Sequence, residues 1–561
     1  TVDIKPVPGL KVNVLAALEE NDNQSASYNS QLYHDKESAG MAHRESHTAF
    51  KQLYEGTIDY VGSWNGHNLT AVAGFSYQHE LYDGIKDITN AGFPTDNYKY
   101  YSLGDGLTDK SKLTVVTYRN SNVLASAFGR INYNYDERYL LSVSLRAEGS
   151  SRFGDNHKWG WFPAVSAGWR ISGENFMKGQ DWCNDLKLRA GFGITGNNAG
   201  GNLLSKQLLD KGGTFWYNGA WISTYGVSRN ANPDLRWERK FEYNVGLDFM
   251  FLDNRLGGSL DLYYRDTKDL LWDYDVPTPP FLFGTMTANC GEVTSMGLEL
   301  SLTGVPVKTK DWTWTSTLTM AFNNNKIKKL SGTVLWEGQE YELTYSEKLV
   351  GGVGENGLMG VNTQKIVEGE SIGTFYGYHC IGVTDKGNLA YEKDENGKNK
   401  LQKIGNAQPI MTYGWNNTIK WRNLDICLFF RGVVGNDVLN VKRWAYGPQK
   451  SQGLNVFMKD VEGLANGTAA YRQGVFSDYY LEDGSYLKLD NITVGYTWFF
   501  KDNKYIQSCR LYGTAENVFT ITSYSGIDPE VNTMSVDNAG IDNSGFYPSV
   551  TNVLVGLNLT L

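Results

Sequence analysis

The sequence predicts an all-β protein, a transmembrane antiparallel up-and-down β-barrel of roughly sixteen to eighteen strands. Three observations carry the prediction. Apolar and polar residues alternate over segments of about ten residues, the length at which a tilted strand crosses a bilayer. Connections are short and polar at one end of the strands and long at the other, as an up-and-down barrel requires. Aromatic residues, with 35 Tyr and 16 Trp among 561 residues, gather at strand ends, where an interface girdle sits. No run of about 18 apolar residues exists, which excludes a helical membrane protein. A mean hydropathy of -0.41 does not argue against a barrel, because half of each strand and every loop is polar.

Thr1 to Lys5 reads as the end of a strand entering the Pro6-Val7-Pro8-Gly9 turn, and a start in mid-strand is expected of the C-terminal piece of a longer polypeptide. Leu10 to Leu18 is a strand, followed by a polar loop over 19–47. Phe50 to Trp64 and Leu69 to Tyr77 form a hairpin around Asn65-Gly66, a strong short-turn signal. A loop over 79–120 is too long for an ordinary connection. The clearest hairpin follows. Val123, Ala125, Ala127, Ile131, Tyr133 and Tyr135 share one face, Asn122, Ser126, Arg130, Asn132 and Asn134 the other, and only Leu124 and Phe128 break the pattern. After the turn Asp136-Glu137-Arg138, Tyr139, Leu141, Val143, Leu145 and Ala147 alternate with Ser142, Ser144, Arg146 and Glu148.

Trp161 to Ser172 and Leu186 to Ile194 are the next strands, and the loop over 196–238 carries Trp216, Tyr217, Trp221, Tyr225 and Trp237. Phe241 to Phe251 and Leu256 to Tyr264 turn at Asp253-Asn254-Arg255, before a Pro- and aromatic-rich loop over 265–293 with Trp272 and Tyr274. Met296 to Leu302 pairs with Trp312 to Phe322, and a loop over 325–371 leads to a strand near Ile372 to Tyr378 and a polar excursion over 385–406. Thr412 to Trp421 and Leu424 to Val433 turn at Arg422-Asn423. The loop over 435–484 is the longest. Tyr486 to Phe500 and Arg510 to Phe519 flank Lys501-Asp502-Asn503-Lys504, a last loop covers 522–549, and Thr551 to Leu561 is a terminal amphipathic strand.

Asn132-Tyr133-Asn134-Tyr135-Asp136-Glu137-Arg138-Tyr139-Leu140, with Ala147-Glu148-Gly149-Ser150-Ser151-Arg152-Phe153-Gly154 after it, resembles the barrel signature of the SusC/RagA family, the TonB-dependent nutrient importers of Bacteroidetes. Asn232-Pro233-Asp234-Leu235-Arg236-Trp237-Glu238, Ile372 to Tyr378, Gly405 to Pro409, Tyr413 to Thr418, Leu481 to Leu489, Glu516 to Thr522 and Gly526 to Glu530 are similar to further elements of that family, in its order. Each motif is weak alone and the set is specific. The resemblance implies a 22-stranded barrel whose first staves, plug and TonB box lie outside this sequence. It also implies residence in the outer membrane of a Gram-negative bacterium, TonB and a SusD-like surface lipoprotein as partners, an oligosaccharide or oligopeptide as cargo, and a possible dimer of transporter–lipoprotein pairs. A self-contained passive porin of sixteen to eighteen strands is the alternative.

The residues themselves point to binding and not to catalysis. A net charge of -9 with evenly spread Lys and Arg gives no nucleic-acid footprint. The five cysteines are far apart and without a C-x-x-C pair, so they read as small apolar side chains. His43 and His47 are the one closely spaced histidine pair and read as part of a solvated loop; Asp394 to Asn399 is faintly like a calcium loop and reads as a hairpin turn. No hydrolase or phosphate-binding motif stands in a strand-to-helix context, and no metal or other cofactor is called for. The candidate ligand contacts are Trp159, Trp216, Tyr217, Trp221, Trp272 and Tyr274, which could stack on sugar rings or apolar peptide side chains above the lumen, or could pack the loops together. Trp312, Trp314 and Trp498 read as interface anchors on the lipid face.

Overall fold

The computed structural model describes all residues except 34–38, 107–112, 199, 337, 344–346, 355–357, 448–460, 464–473, 501–504, 532–537, 544 and 546. The expected turn at Lys501 to Lys504 lies outside the described residues. Among the described residues seventeen strands form one sheet. In chain order they are β1 (Val2–Val7), β2 (Leu10–Asn29), β3 (Met41–Trp64), β4 (His67–Ala91), β5 (Thr114–Tyr135), β6 (Tyr139–Ser150), β7 (Trp159–Arg170), β8 (Cys183–Asn197), β9 (Glu238–Phe251) and β10 (Leu256–Asp275). They continue as β11 (Thr285–Lys308), β12 (Trp312–Lys329), β13 (Met411–Trp421), β14 (Leu424–Val434), β15 (Tyr486–Phe499), β16 (Ser508–Thr522) and β17 (Asn552–Thr560). Each pairs antiparallel with its neighbours in this order, so the wall is an up-and-down meander. Among the described residues β1 and β17 each have one neighbour only.

Register fixes which side chains share a face. Ala127 opposes Ala147, and Ala147 opposes Trp161. Leu141, Val143 and Leu145 of that face are 43, 44 and 46% exposed, while Ser142, Ser144, Arg146 and Glu148 point to the other side. Such a continuous exposed apolar face suits lipid and would be a liability in water. Trp64 pairs directly with His67, leaving Asn65 and Gly66 at φ values of 44° and 82°, the left-handed pair of a two-residue hairpin turn. Pro163 has no N–H to give, and the β7–β8 ladder correspondingly stops at Ala164, so the end of β7 from Trp159 on is paired with β6 alone. At the turn end the Trp312 and Trp421 rings stack with centroids 5.4 Å apart. The Trp314 indole donates to Asn417 (3.1 Å) and the Trp415 indole to Ser316 (2.8 Å), which pairs polar groups within the wall itself.

Four loop assignments need correction. Residues 19–29 and 41–47 are strand, paired from Asn29 opposite Met41 onward, so the connection is only 30–40. Likewise 79–91 and 114–120 extend β4 and β5, and 265–275 and 285–293 extend β10 and β11. The loop over 325–371 begins only after Lys329 and itself contains strands. The physical reason is common to all four. Beyond the bilayer both faces of a strand are wet, so the ladder continues without the one apolar face that a period-two pattern needs.

The described parts of the long connections are folded. Thr374–Tyr378 lies between Asn362–Val367 and Leu401–Asn406 in a four-stranded sheet, with Glu347–Gly352 at its edge. Asp437–Asn440, Leu481–Asp483 and Ile541–Asp542 make a three-stranded sheet beside a short helix, Val441–Ala445. The buried apolar cores lie here and where the extended wall strands meet the loops, as at Tyr274, Met286 and Ile327. The largest cluster joins Val353, Phe375, Ala407, Trp444, Phe476 and Ile541, which come from connections far apart in sequence.

Candidate binding surface on the loop side

Buried polar clamps hold the loop assembly to the wall. Asn440 accepts from the Arg443 N–H (2.9 Å) and so starts the short helix. Lys442 then reaches Asp542 at 2.9 Å with side-chain exposures of 7 and 0%, and the Tyr524 hydroxyl donates to the same carboxylate at 2.7 Å. A buried carboxylate persists only when it is satisfied in this way. Glu482 takes the Ser525 N–H and hydroxyl, each at 2.7 Å. Glu530 ties the last loop to the inner wall: Arg431 pairs with it, Tyr486 donates at 2.8 Å and Lys488 at 2.5 Å. Burial works to raise the Glu530 pKa, and these donors outweigh it and hold the carboxyl below the usual range. Asp437 goes the other way, pushed up by burial although the Asn406 N–H donates to it. Lys158 and Lys206 hold Asp155 down at about 2, linking the connection before β7 to the one after β8.

The six candidate aromatics divide. Trp216, Tyr217 and Trp221 lie on a hairpin, Leu209–Tyr217 with Ala220–Val227, inside the 196–238 connection, and are 59, 62 and 67% exposed. Trp216 opposes Trp221 on one face, ring centroids 5.5 Å apart and edge to face. Phe215 opposes Ile222 on the other face, and Tyr217 shares that side. The structure does not bring the remaining three to this place. Trp159 opposes Gly149 and falls on the apolar outward face with Trp161 and Val165, because period two gives all three one parity. Its ring lies over Gly149, where a Cβ would meet indole carbon at 2.8 Å. Trp272 is half-buried on β10, with the Lys348 ammonium 4.2 Å from its ring centroid. Tyr274 is 2% exposed, packed among Val276, Phe281, Met286, Val334 and Leu343, so it holds loops together and offers no surface to a ligand.

The structure adds a titratable cluster that the sequence reading set aside. His43 and His47 lie on strand β3, not in a loop, and alternation puts Glu45 between them on one face. The Glu45 carboxylate lies 3.8 Å from His43 Nε2 and 3.4 Å from His47 Nε2. His43 Nδ1 meets Asp87 at 2.7 Å, and His47 Nδ1 meets the Tyr118 hydroxyl at 3.0 Å. The spacing H-x-E-x-H in an extended segment was the available signal. Hydrogen bonds from Ser25 and His47 lower the Glu45 pKa. Among the described residues no group of three or more His, Cys, Asp or Glu has the geometry to hold a metal ion. Asp394 accepts from the Asn396 and Lys398 N–H groups (2.9 and 2.8 Å), so that segment is an Asx-type turn with its carboxylate already engaged. All five cysteines are unpaired. Near the turn end of the inner face is an open groove of about 520 Å³, lined by Asn68, Thr70, Asn132, Asn134, Ser142 and Arg189.

Residues 10–518 match the family model described as TonB dependent receptor-like, beta-barrel. The TonB-dependent receptor SusC of Bacteroides thetaiotaomicron is 31% identical over 522 residues, covering 90% of this chain and 49% of that protein. A TonB-dependent receptor of Formosa agariphila is 29% identical over 559 residues, covering 93% of this chain and 53% of that one. The chain thus spans about half the length of these curated relatives. Among solved structures, the RagAB peptide transporter superposes with a TM-score of 0.81 at 24% identity, covering 99% of this chain and 60% of that one. At that identity the likeness speaks for the fold.

Proposed function

Because this chain belongs to the TonB-dependent receptor family of outer-membrane β-barrels, we propose that it forms most of the wall and the external mouth of an importer. The importer draws oligosaccharides or oligopeptides inward at the expense of TonB, with a SusD-like surface lipoprotein delivering them. No covalent step is assigned to the chain. The observation that carries this reading is the pairing of a membrane wall with a folded, polar-clamped loop assembly on one side of it. The RagAB structure is named as a peptide transporter, and the family resemblance read from the sequence leaves oligosaccharides as the other cargo class.

The exposed hairpin supplies the contact surface in this proposal. A two-stranded hairpin is marginal alone, and this one presents aromatic groups on both faces. The Trp216–Trp221 face stacks on cargo, and the Phe215–Ile222 face meets the lipoprotein. In the alternative of a passive porin, β1 and β17 would have to close on each other, since an open edge in hydrocarbon leaves unpaired backbone groups. In our reading further strands of the same barrel take those edges, and the proposed cargo and partners are those of the whole transporter.

The test is uptake of labelled oligosaccharide and oligopeptide pools by cells carrying the full transporter, with and without a protonophore. Protonophore-sensitive uptake of one pool, lost in the Trp216→Ala/Trp221→Ala variant, is expected. Uptake indifferent to the protonophore would favour the porin.

A further inference from the structure

We propose that the outward face of β9, β10 and β12, just beyond the apolar band, is a seat for the phosphate groups of an anionic outer-leaflet glycolipid. The proposal rests on residence in the outer membrane and not on which cargo is carried. On each of these strands the outward apolar series stops and a base takes over. On β9, Val245, Tyr243 and Phe241 are followed by Arg239; on β10, Leu260, Leu262 and Tyr264 lead through Asp266 to Lys268. On β12, Leu318, Met320 and Phe322 lead through Asn324 to Lys326 and Lys328. Arg239 stands directly opposite Lys268, and their cationic groups lie 5.8 and 5.6 Å from the centroid of the Phe241 ring. That places two positive charges at the edge of the hydrocarbon, where a lipid headgroup sits.

The acids of this sector lie behind the bases. Side chains of Asp266, Asp269 and Glu292 are 12, 11 and 17% exposed, against 46, 44 and 51% for Arg239, Lys268 and Lys328. Asp269 takes both Arg236 and Arg239 (2.8 and 2.6 Å). Lys268 lies 3.4 Å from Asp266 and 3.6 Å from Glu292, and Lys328 2.7 Å from Glu292. The carboxylates therefore fix the cations from behind, and each ammonium keeps donors to offer outward. The five bases Arg236, Arg239, Lys268, Lys326 and Lys328 exceed the three acids by two, in a chain whose net charge is -9. Among the described residues the outward face has no such excess at the same height elsewhere: Asp83 and Arg119 cancel in one pair (3.6 Å), and β2 shows Glu20 and Asp22. Fixed, outward-aimed donors on β9, β10 and β12, within four neighbouring strands, suit the several oxygens of a phosphate monoester.

The experiment uses the transporter extracted from the outer membrane with its native partners. Bisphosphorylated lipid A, or the same lipid enzymatically dephosphorylated, is added, and bound lipids are counted by native mass spectrometry. Selective retention of the phosphorylated form is expected. Lys326→Gln, which breaks none of these ion pairs, lowers retention about fivefold, the effect of one basic residue at an anionic surface. Arg239→Gln/Lys268→Gln lowers it further, and Lys268→Arg/Lys328→Arg keeps it. Equal retention of both lipids, no change in Lys326→Gln, or a protein partner found cross-linked at position 326 would each overturn the proposal.

Discussion

The wall and the loop assembly solve the same problem, burying backbone and apolar surface, in opposite ways. The wall turns its apolar side chains outward, with Leu145 46% and Val143 44% exposed, and relies on lipid to cover them. The loop assembly buries Phe375, Leu439 and Val441 completely and adds ion pairs as deep as Lys442–Asp542. The comparison teaches where each region is vulnerable. A wall strand is hurt by charge on one face and indifferent to it on the other, whereas the loop assembly is hurt by losing one member of a pair.

Lys442→Ala gives the sharpest break. It leaves Asp542 buried against Tyr524 without its cation, and about 3–5 kcal/mol is expected to be lost. Limited proteolysis should then cut the loop assembly while the heat-modifiable barrel band on a gel persists. Equal loss of both would show that the two regions are one cooperative unit. Next comes Val143→Arg, a charge on the lipid face near mid-strand, expected to cost about 2–4 kcal/mol in urea unfolding from lipid vesicles. Ser142→Arg, one residue away on the inner face, should cost far less, and similar costs would refute the face assignment. Asn440→Ala removes the cap of the short helix for about 1 kcal/mol, visible as faster amide exchange at 441–445 with the wall unchanged.

The smallest effect is a pH dependence confined to the loops. His379 Nδ1 donates to Asp478, which also receives the Cys380 N–H (2.7 Å); Glu392 is the other charge nearby. The hydrogen bond to Asp478, and then its charge, raise the His379 pKa above the usual value near 6.5. A raised folded pKa means that the contribution is fully present below the unfolded value and is lost as pH rises through the folded one. Amide protection in residues 380–391, corrected for the intrinsic pH dependence of exchange, is therefore expected to be higher at pH 5 than at pH 9. The same protection at both values would remove His379 as the cause.

Much of the wall was legible because lipid on one side and water on the other leave a period-two record in the residues. The Asn65-Gly66 turn, the Tyr139 to Glu148 strand and the amphipathic end at β17 all follow from it. Where water lies on both sides the record fades, which is why Glu19 to Asn29 looked like loop. The loop cores were illegible for another reason: Phe375, Trp444 and Ile541 meet only in three dimensions, and no local pattern announces it. Tyr274 and Trp221 sit in equally aromatic surroundings in the chain, yet one is 2% and the other 67% exposed. Trp159 was misplaced by two residues at a strand boundary, though its shared parity with Trp161, Val165 and Trp169 already marked the lipid face.

The unequal strand lengths have a geometric consequence. β3 continues 13 residues from Tyr54 to Met41 past the end of its membrane-crossing part, which at about 3.3 Å per residue and a tilt near 40° lifts the rim roughly 30 Å. β13 and β14, with 11 residues each, end at the membrane. The strand rim is therefore uneven, tall at β3 and short at β13 and β14, where the folded connections rise from it instead.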